Sequence, residues 1–304
     1  MAANAIEVVD LHKSYGSTRA VQGISFSVAE GEVFAMLGPN GAGKTTTVEI
    51  LEGFRRRDGG KVSVLGYDPA TDNRRLKEQL GIVLQTTGVD PYLTVAETID
   101  MFRGYYPKPR SRDEVLKLVG LEEKRDSRVT KLSGGQRRRL DVAIALAGDP
   151  ALLFLDEPTT GFDPGARRNA WEVIKGLAEL GKTIFLTSHA MDEVQYLADR
   201  VVIISSGKVV AEGTPDTLAG RRKQTTMVRF RIAAEVELPE SLRATTRIDG
   251  GEIQIETADP THMLYDLTSW AVQRGVTLES LEVTRPSLED VYLAITGGVP
   301  GSQE

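Results

Sequence analysis

The stretch Gly38-Pro39-Asn40-Gly41-Ala42-Gly43-Lys44-Thr45 joins an apolar run, Val33 to Leu37, to a helix-like segment, Thr46 to Leu51. A buried strand, a Gly-rich turn and a helix in that order are what a phosphate-binding loop requires. The glycines let the backbone curl so that successive N–H groups face phosphate oxygens. The following helix, opened by Thr46, adds the positive end of its dipole at the same point. Lys44 can reach the outer phosphates as a point charge, and the Thr45 hydroxyl is placed to ligate Mg²⁺. A Gly-rich turn matching by chance would lack either the fixed positions or the flanks. The loop implies binding of a nucleoside triphosphate.

A second constellation is Leu152-Leu153-Phe154-Leu155-Asp156-Glu157, four apolar residues closed by two carboxylates. A buried strand ending in acids sits where open α/β sheets place their ligands. Asp156 would hold Mg²⁺ directly or through water, and Glu157 would orient and deprotonate an attacking water. Alone, the pattern could be a strand running into a solvated loop; beside a phosphate loop it implies hydrolysis. The third is Leu132-Ser133-Gly134-Gly135-Gln136. Ser133 suits the cap of a following helix, and the two glycines leave backbone N–H groups bare, so this is a second anion-binding helix start. Taken by itself, the pentapeptide also fits an ordinary capped helix after a flexible turn.

The elements that must hold these residues can be read along the chain. Ile6 to Asp10 and Ala20 to Val28 read as strands before the phosphate loop, with Lys61 to Leu65 after it, and predict a small antiparallel sheet on the nucleotide core. Asn73 to Leu80 predicts a helix, and Ile82-Val83-Leu84 a short strand ending on Gln85. From about residue 89 to 147 strand signals vanish and apolar spacing of three and four dominates, which predicts a helical insertion. Strands at Ala151 to Leu155, Thr183 to Thr187 and Val201 to Ile204 then alternate with helices at Pro164 to Leu180 and Met191 to Ala198. The sum is an α/β P-loop NTPase core, a mostly parallel sheet with helices on both faces, over residues 1–220. A polar, basic linker (221–225) leads to a small C-terminal α+β domain over 226–304. There Val228, Phe230 and Ile232 alternate, Asp249-Gly250-Gly251 reads as a hairpin turn, Met263, Leu264, Leu267 and Trp270 make a helical stripe, and Ser287 starts a last helix with Leu288, Val291, Tyr292 and Ile295.

Composition sets outer limits. A chain of 304 residues with 40% hydrophobic and 26% charged residues describes an ordinary globular protein. Absence of cysteine excludes disulfides, thiolate catalysis and cysteine-bound metal, and suits a reducing cytosol. The net charge of −6 argues against gripping nucleic-acid backbone. The triplets Arg55–Arg57 and Arg137–Arg139 accordingly read as solvated faces. The N-terminus lacks a signal peptide, and the longest apolar run, Val142 to Ala147, falls far short of the roughly 18 residues a membrane span needs.

In order and spacing, the phosphate loop, Gln85, Leu132–Gln136, Asp156–Glu157, Asp163 and His189 resemble an ABC-transporter ATPase subunit over about residues 5–220. The resemblance implies that Gln85 is a coupling glutamine that also reaches Mg²⁺, that His189 is a switch histidine at a strand end, and that Tyr15 stacks on adenine. It implies a head-to-tail homodimer sandwiching two ATP molecules, each between one subunit's phosphate loop and the other's Ser133, Gly134, Gly135 and Gln136, with Asp163 on the loop that crosses between them. Phe162 stands where the family usually has leucine. The segment Arg285 to Tyr292 resembles the ending of daunorubicin-resistance-type (ABC-2) exporter ATPases. The expectation is an ATPase peripheral to the cytoplasmic face of the cell membrane, driving export of a drug-like or other amphipathic compound through a separate permease. A soluble ABC ATPase of DNA repair or translation would usually carry two cassettes, long coiled-coil insertions or metal motifs. An importer subunit is the other alternative. A small GTPase or kinase would lack a use for Leu132–Gln136, and Glu157 speaks against a non-hydrolysing nucleotide sensor.

Overall fold

The computed structural model describes residues 3–83, 88–220, 226–232, 246–249, 252–284 and 292. It divides into two compact units, Met1–Pro215 and Asp216–Glu304. In the first, β1 (Asn4–Tyr15) and β2 (Thr18–Ala29) pair as an antiparallel hairpin, and β3 (Val33–Leu37) runs into the Gly-rich loop and α1 (Lys44–Leu51). The chain returns as β4 (Gly59–Val64) on the other edge of β1. The hairpin strands are longer than the apolar runs that announce them. A bulge at Asp10, whose φ is 52°, resets the register between Val8 and Leu11, so one face stays buried past the break in alternation. Tyr15 therefore ends a strand, directly before the turn at Gly16 and Ser17.

The second sheet of this unit has the order β5-β6-β7-β3-β8-β9. Its members are β5 (Leu80–Val83), β6 (Leu152–Asp156), β7 (Thr183–Ser188), β3, β8 (Arg200–Ser205) and β9 (Lys208–Gly213). All pairs are parallel except β8 with β9. Register places Leu37 opposite Ser188 and Asp156 opposite Thr187. The Gly-rich loop, the acid pair and the His189 turn therefore leave the sheet at one edge, the C-terminal end of its strands. A run of rings joins the two sheets: Phe26 on β2 stacks on Phe34 at 5.5 Å, Phe34 meets Phe185 at 5.6 Å, and Phe185 meets Phe154 at 5.5 Å. Phe34, Phe154 and Phe185 are almost wholly buried, so the ladder also fixes β3, β6 and β7 against one another.

Residues 90–147 hold α3 (Val95–Arg103), α4 (Arg112–Val119) and α5 (Gly134–Leu146), following the short α2 (Asn73–Lys77). Each of the three starts on a hydroxyl: Thr94, Ser111 and Ser133 accept the N–H three residues on, and Thr94–Glu97 and Ser133–Gln136 close full capping boxes. α5 packs against both other helices and behind β5, which ties this helical stretch to the sheet. α6 (Pro164–Glu179) buries Trp171, Ile174 and Leu177, the stripe its sequence predicts. α7 (Met191–Leu197) and α8 (Pro215–Gly220) complete the helices of this part of the chain.

In the second unit, β10 (Thr226–Arg231), β11 (Thr246–Asp249), β12 (Glu252–Thr257) and β13 (Glu279–Thr284) form an antiparallel sheet in the order β11-β12-β10-β13. Val228, Phe230, Ile253 and Ile255 pack against Met263 and Leu267 of α9 (Pro260–Arg274). Strand β13 was not legible in the sequence, because it pairs with β10 through backbone while every one of its residues stays exposed. Asp249 pairs with Glu252, but Gly250 and Gly251 lie outside the described residues. So do the linker 221–225 and, except for Tyr292, the expected helix from Ser287 to Ile295. Among the described residues no helix is long and apolar enough to cross a membrane.

One buried acid sets a pH dependence for the first unit. Glu52, 3% exposed, sits at the negative end of the α1 dipole. Burial, then the carboxylates of Asp156 and Glu49, push its pKa up to about 8 against an opposing pull from Lys77. The native chain thus holds a proton that the unfolded chain releases near its ordinary value of 4.5. Stability from this group is complete at low pH and is lost as pH rises through about 8. Glu52→Gln, which mimics the protonated acid, should melt several degrees above the parent at pH 9 and close to it at about pH 5. Thermal unfolding followed by circular dichroism across that range tests this; parallel melting curves at both pH values would contradict it.

Candidate functional site

The Gly-rich loop leaves β3 at Gly38 and enters α1 at Gly43, whose φ of 103° only glycine adopts without strain. A Cβ there would also stand 2.4 Å from the Ala20 carbonyl oxygen, so the backbone of β2 grips the loop. Lys44 is 7% exposed and its Nζ donates to the Gly38 and Pro39 carbonyls at 2.6 and 3.2 Å. Burial lowers the Lys44 pKa, while Glu157 and then Asp156 oppose that shift. The ammonium is thus poorly solvated and ready to exchange weak carbonyl partners for anionic oxygen. Asn40, Gly41, Gly43, Lys44, Thr45 and Thr46 line a 270 Å³ cleft, and Glu157 from the end of β6 forms part of its wall. Pro39 and Ala42 shape the turn behind it; the Ala42 N–H donates to the Pro39 carbonyl at 3.1 Å.

Tyr15 stands next to this cleft, its hydroxyl 3.4 Å from Thr46 Oγ1 and the residue 40% exposed. The Arg55 guanidinium lies 5.2 Å from the ring centroid, and Arg55 is itself bonded to Glu49. Arg57 forks onto Asp68 with two bonds of 2.7 Å. The Arg55–Arg57 triplet is therefore not a uniformly solvated face: two of its members are committed to local carboxylates.

At the end of β6, the Thr187 hydroxyl donates to Asp156 Oδ1 at 2.5 Å. The Glu157 backbone is left-handed, with φ 45°, and its N–H is shared by the Thr187 carbonyl and hydroxyl at 3.2 Å. A β-turned backbone of this hand in a residue with a Cβ costs of order 1 kcal/mol and persists only where neighbours enforce it. Thr160 donates to Glu157 Oε2 at 3.2 Å, and His189 Nδ1 lies 3.3 Å from Glu157 Oε1. The fold thus brings together Lys44, Thr45, Asp156, Glu157 and His189, as their sequence positions predict. Gln85 lies outside the described residues. Hard oxygen donors from Thr45 and Asp156 suit Mg²⁺, which takes few protein ligands and completes its shell with phosphate and water.

Ser133, Gly134, Gly135 and Gln136 line a different cleft of 610 Å³, together with Phe162 and Asp163. The two clefts have no lining residue in common. Asp163 Oδ1 accepts the N–H groups of Gly165 and Ala166, both at 2.9 Å, as the N-cap of α6. Its carboxylate is thus engaged with its own helix. Arg138 corrects the reading of Arg137–Arg139 as a solvated face: it is 8% exposed, donating to the Pro158 carbonyl at 3.0 Å and the Asp156 carbonyl at 3.3 Å. A run of three arginines conceals this. Helical phase would have revealed it, since Arg138, Asp141, Val142 and Ala145 share one buried face.

Residues 21–160 match the family model described as ABC transporter, and residues 226–287 match that for the C-terminal domain of ABC transporter domain-containing proteins. The sequence is 36% identical to the daunorubicin resistance ATP-binding protein DrrA2 of Streptomyces coeruleorubidus, covering 98% of this chain and 96% of that one. It is 39% identical to the Nod factor export ATP-binding protein I of Rhizobium sp. (strain N33), with 98% of both chains covered. It is 35% identical to the linearmycin resistance ATP-binding protein LnrL of Bacillus subtilis (strain 168), covering 96% of this chain and 98% of that one. Among solved structures, cbiO1 from Clostridium perfringens, part of the ABC transporter complex cbiONQ, aligns with a TM-score of 0.64 at 29% identity, over 72% of this chain and 92% of that one. An ATP-binding cassette in a dimeric post-hydrolysis state bound to ADP and Pi aligns at 0.61 and 25%, over 69% and 98%.

The separation of the clefts yields a contrast between two glycines. Gly43→Ala meets both forbidden backbone and the Ala20 oxygen, and should weaken ATP binding at least about tenfold. Gly134→Ala, with open space at its Cβ, should leave the ATP affinity of a single chain within about twofold. Titration with a fluorescent ATP analogue at low protein concentration reads both; equal losses would contradict the separation.

Proposed function

This chain belongs to the ABC transporter family as an ATP-binding, ATP-hydrolysing protein, and we propose that it powers export of a drug-like or other amphipathic compound through a separate membrane permease. The observation that carries the catalytic reading is Glu157 on the wall of the phosphate-loop cleft, with His189 3.3 Å from its carboxylate. In this reading the N–H groups of Asn40, Gly41, Gly43, Lys44, Thr45 and Thr46 cradle the phosphates of ATP and Lys44 pairs with the outer ones. Tyr15 stacks on the adenine. Glu157 orients and deprotonates the attacking water, and His189 donates toward the γ-phosphate. Mg²⁺ would be held by Thr45, Asp156 and Gln85, and would neutralise charge developing on the phosphate oxygens.

Ser133, Gly134, Gly135 and Gln136, with Asp163 alongside, would meet the γ-phosphate of ATP held by a second copy in a head-to-tail homodimer. Two supports bear on this: the separation of the clefts, and the likeness to a cassette in a dimeric ADP and Pi state. Export, rather than import, is supported by relatives whose names specify daunorubicin resistance, linearmycin resistance and Nod factor export. The permease would place the chain on the cytoplasmic face of the cell membrane, without nucleic acid as a partner. The ATPase domain is read as 1–220 with its helical subdomain at about 89–147. Residues 226–304, with their own core, are read as an accessory domain after the 221–225 linker.

Glu157→Gln keeps the shape of the base and removes its basicity, so turnover should fall at least about a hundredfold while ATP still binds. Lys44→Ala should weaken binding itself, through the lost charge. Steady-state phosphate release and equilibrium ATP binding separate the two. A Glu157→Gln chain hydrolysing ATP at the parent rate would show that another group is the base.

A further inference from the structure

Glu193, on α7, is 1% exposed and belongs to none of the constellations that the sequence singles out. An ionised carboxylate is withdrawn from water only at substantial cost unless hydrogen bonds replace its hydration. Here three neutral donors do so. Thr159 Oγ1 and Trp171 Nε1 donate to Oε1 at 2.7 and 3.1 Å, and Ser188 Oγ donates to Oε2 at 2.6 Å. Thr159, Trp171 and Ser188 are themselves buried. A leucine would pack α7 on the sheet with no such cost, so what distinguishes a carboxylate here is what it ties together.

The three donors come from three separate segments, two of which lead to a residue of the hydrolytic centre. Thr159 lies two residues beyond Glu157, on the turn that leaves β6. Ser188 immediately precedes His189, and its Oγ also accepts the Ala190 N–H at 3.0 Å, so both sides of the histidine are fixed to one hydroxyl. Trp171 lies on α6, which Asp163 caps. On the opposite flank of the same turn, Arg138 holds the carbonyls of Asp156 and Pro158, and its guanidinium also feels the Glu193 charge. The left-handed Glu157 backbone is therefore pinned by Arg138 before Thr159 and by Glu193 at Thr159. The same carboxylate that fixes this turn also fixes the turn carrying His189.

We infer that Glu193 is a positioning residue for ATP hydrolysis: by bridging Thr159, Ser188 and Trp171 it sets the reach of His189 and Glu157 toward one another. The inference rests on the reading of Glu157 and His189 as the groups that act at the γ-phosphate. Glu193 does not touch the phosphate-loop cleft, so its role is confined to turnover.

The test is a split between binding and turnover in the full-length chain. Glu193→Met keeps the bulk and removes all three acceptor interactions; kcat should fall at least about tenfold, while KM and equilibrium ATP binding stay within about twofold. Glu193→Gln keeps an oxygen for Thr159 and Trp171 and should recover most of the lost kcat. Should Glu193→Met fail to fold, Ser188→Ala and Trp171→Phe each delete one donor, and each should lower kcat at unchanged ATP affinity. Unaltered kcat in folded variants, or kcat and ATP affinity falling together with melting temperature, would overturn the inference. Glu157→Gln measured alongside separates the two failures. If Glu157→Gln is inactive and the Glu193 variants are normal, the positioning role alone is wrong. If Glu157→Gln is fully active, the base assignment is wrong and the inference falls with it.

Discussion

The backbone of Glu157 is the constraint on which the rest of the site depends. Strand β6 is apolar and buried up to Asp156, and the chain must then turn sharply enough to aim the next carboxylate across β7 toward the Gly-rich loop. It does so in a left-handed conformation that a residue with a Cβ resists. Thr187 takes up the N–H, Arg138 takes the carbonyls on either side, and Glu193 holds Thr159 just beyond. Those restraints arrive from β7, α5 and α7, so the geometry of one carboxylate reports on three elements of the fold.

The same restraints link the two clefts physically. α5 begins at Ser133, whose capping box exposes the glycine N–H groups, and four residues after Gly134 it delivers Arg138 to the Glu157 turn. The start of α5 is thus joined through Arg138 to the turn that carries Glu157. That connection runs through one helix and two hydrogen bonds to backbone carbonyls.

Much of this site is legible in the sequence because its chemistry needs backbone that few residues permit. Glycines at 38, 41 and 43 before Lys44, two carboxylates closing an apolar strand, and Ser133 ahead of paired glycines each state a local geometry outright. The parallel sheet follows from strands alternating with helices, and its register brings the motifs together. The supporting residues were hidden for a different reason. Arg138 sits in a basic triplet and Glu193 in the acidic pair Asp192-Glu193, where charge implies solvent; only helical phase, with Leu197 one turn beyond Glu193 and Val142 one turn beyond Arg138, marks them as inward. Thr187 reads as the end of a strand, and β7 ends one residue beyond it; that its hydroxyl acts across to β6 is a relation that sequence does not carry. Strand β13 has too few apolar residues to announce itself, since backbone pairing alone builds it.

In the proposed dimer each ATP is completed by two chains, with the phosphate loop of one facing the Ser133–Gln136 helix start of the other. The absence of native cysteine makes this directly measurable. Chains carrying Asn40→Cys alone, beside Gly41, are mixed with chains carrying Gly134→Cys alone, both in a Glu157→Gln background, and exposed to a short bifunctional thiol crosslinker. The expected result is a crosslinked heterodimer that forms with ATP and not without nucleotide. No crosslink between chains that demonstrably bind ATP, or an ATP-dependent crosslink found only within a chain bearing both substitutions, would contradict it.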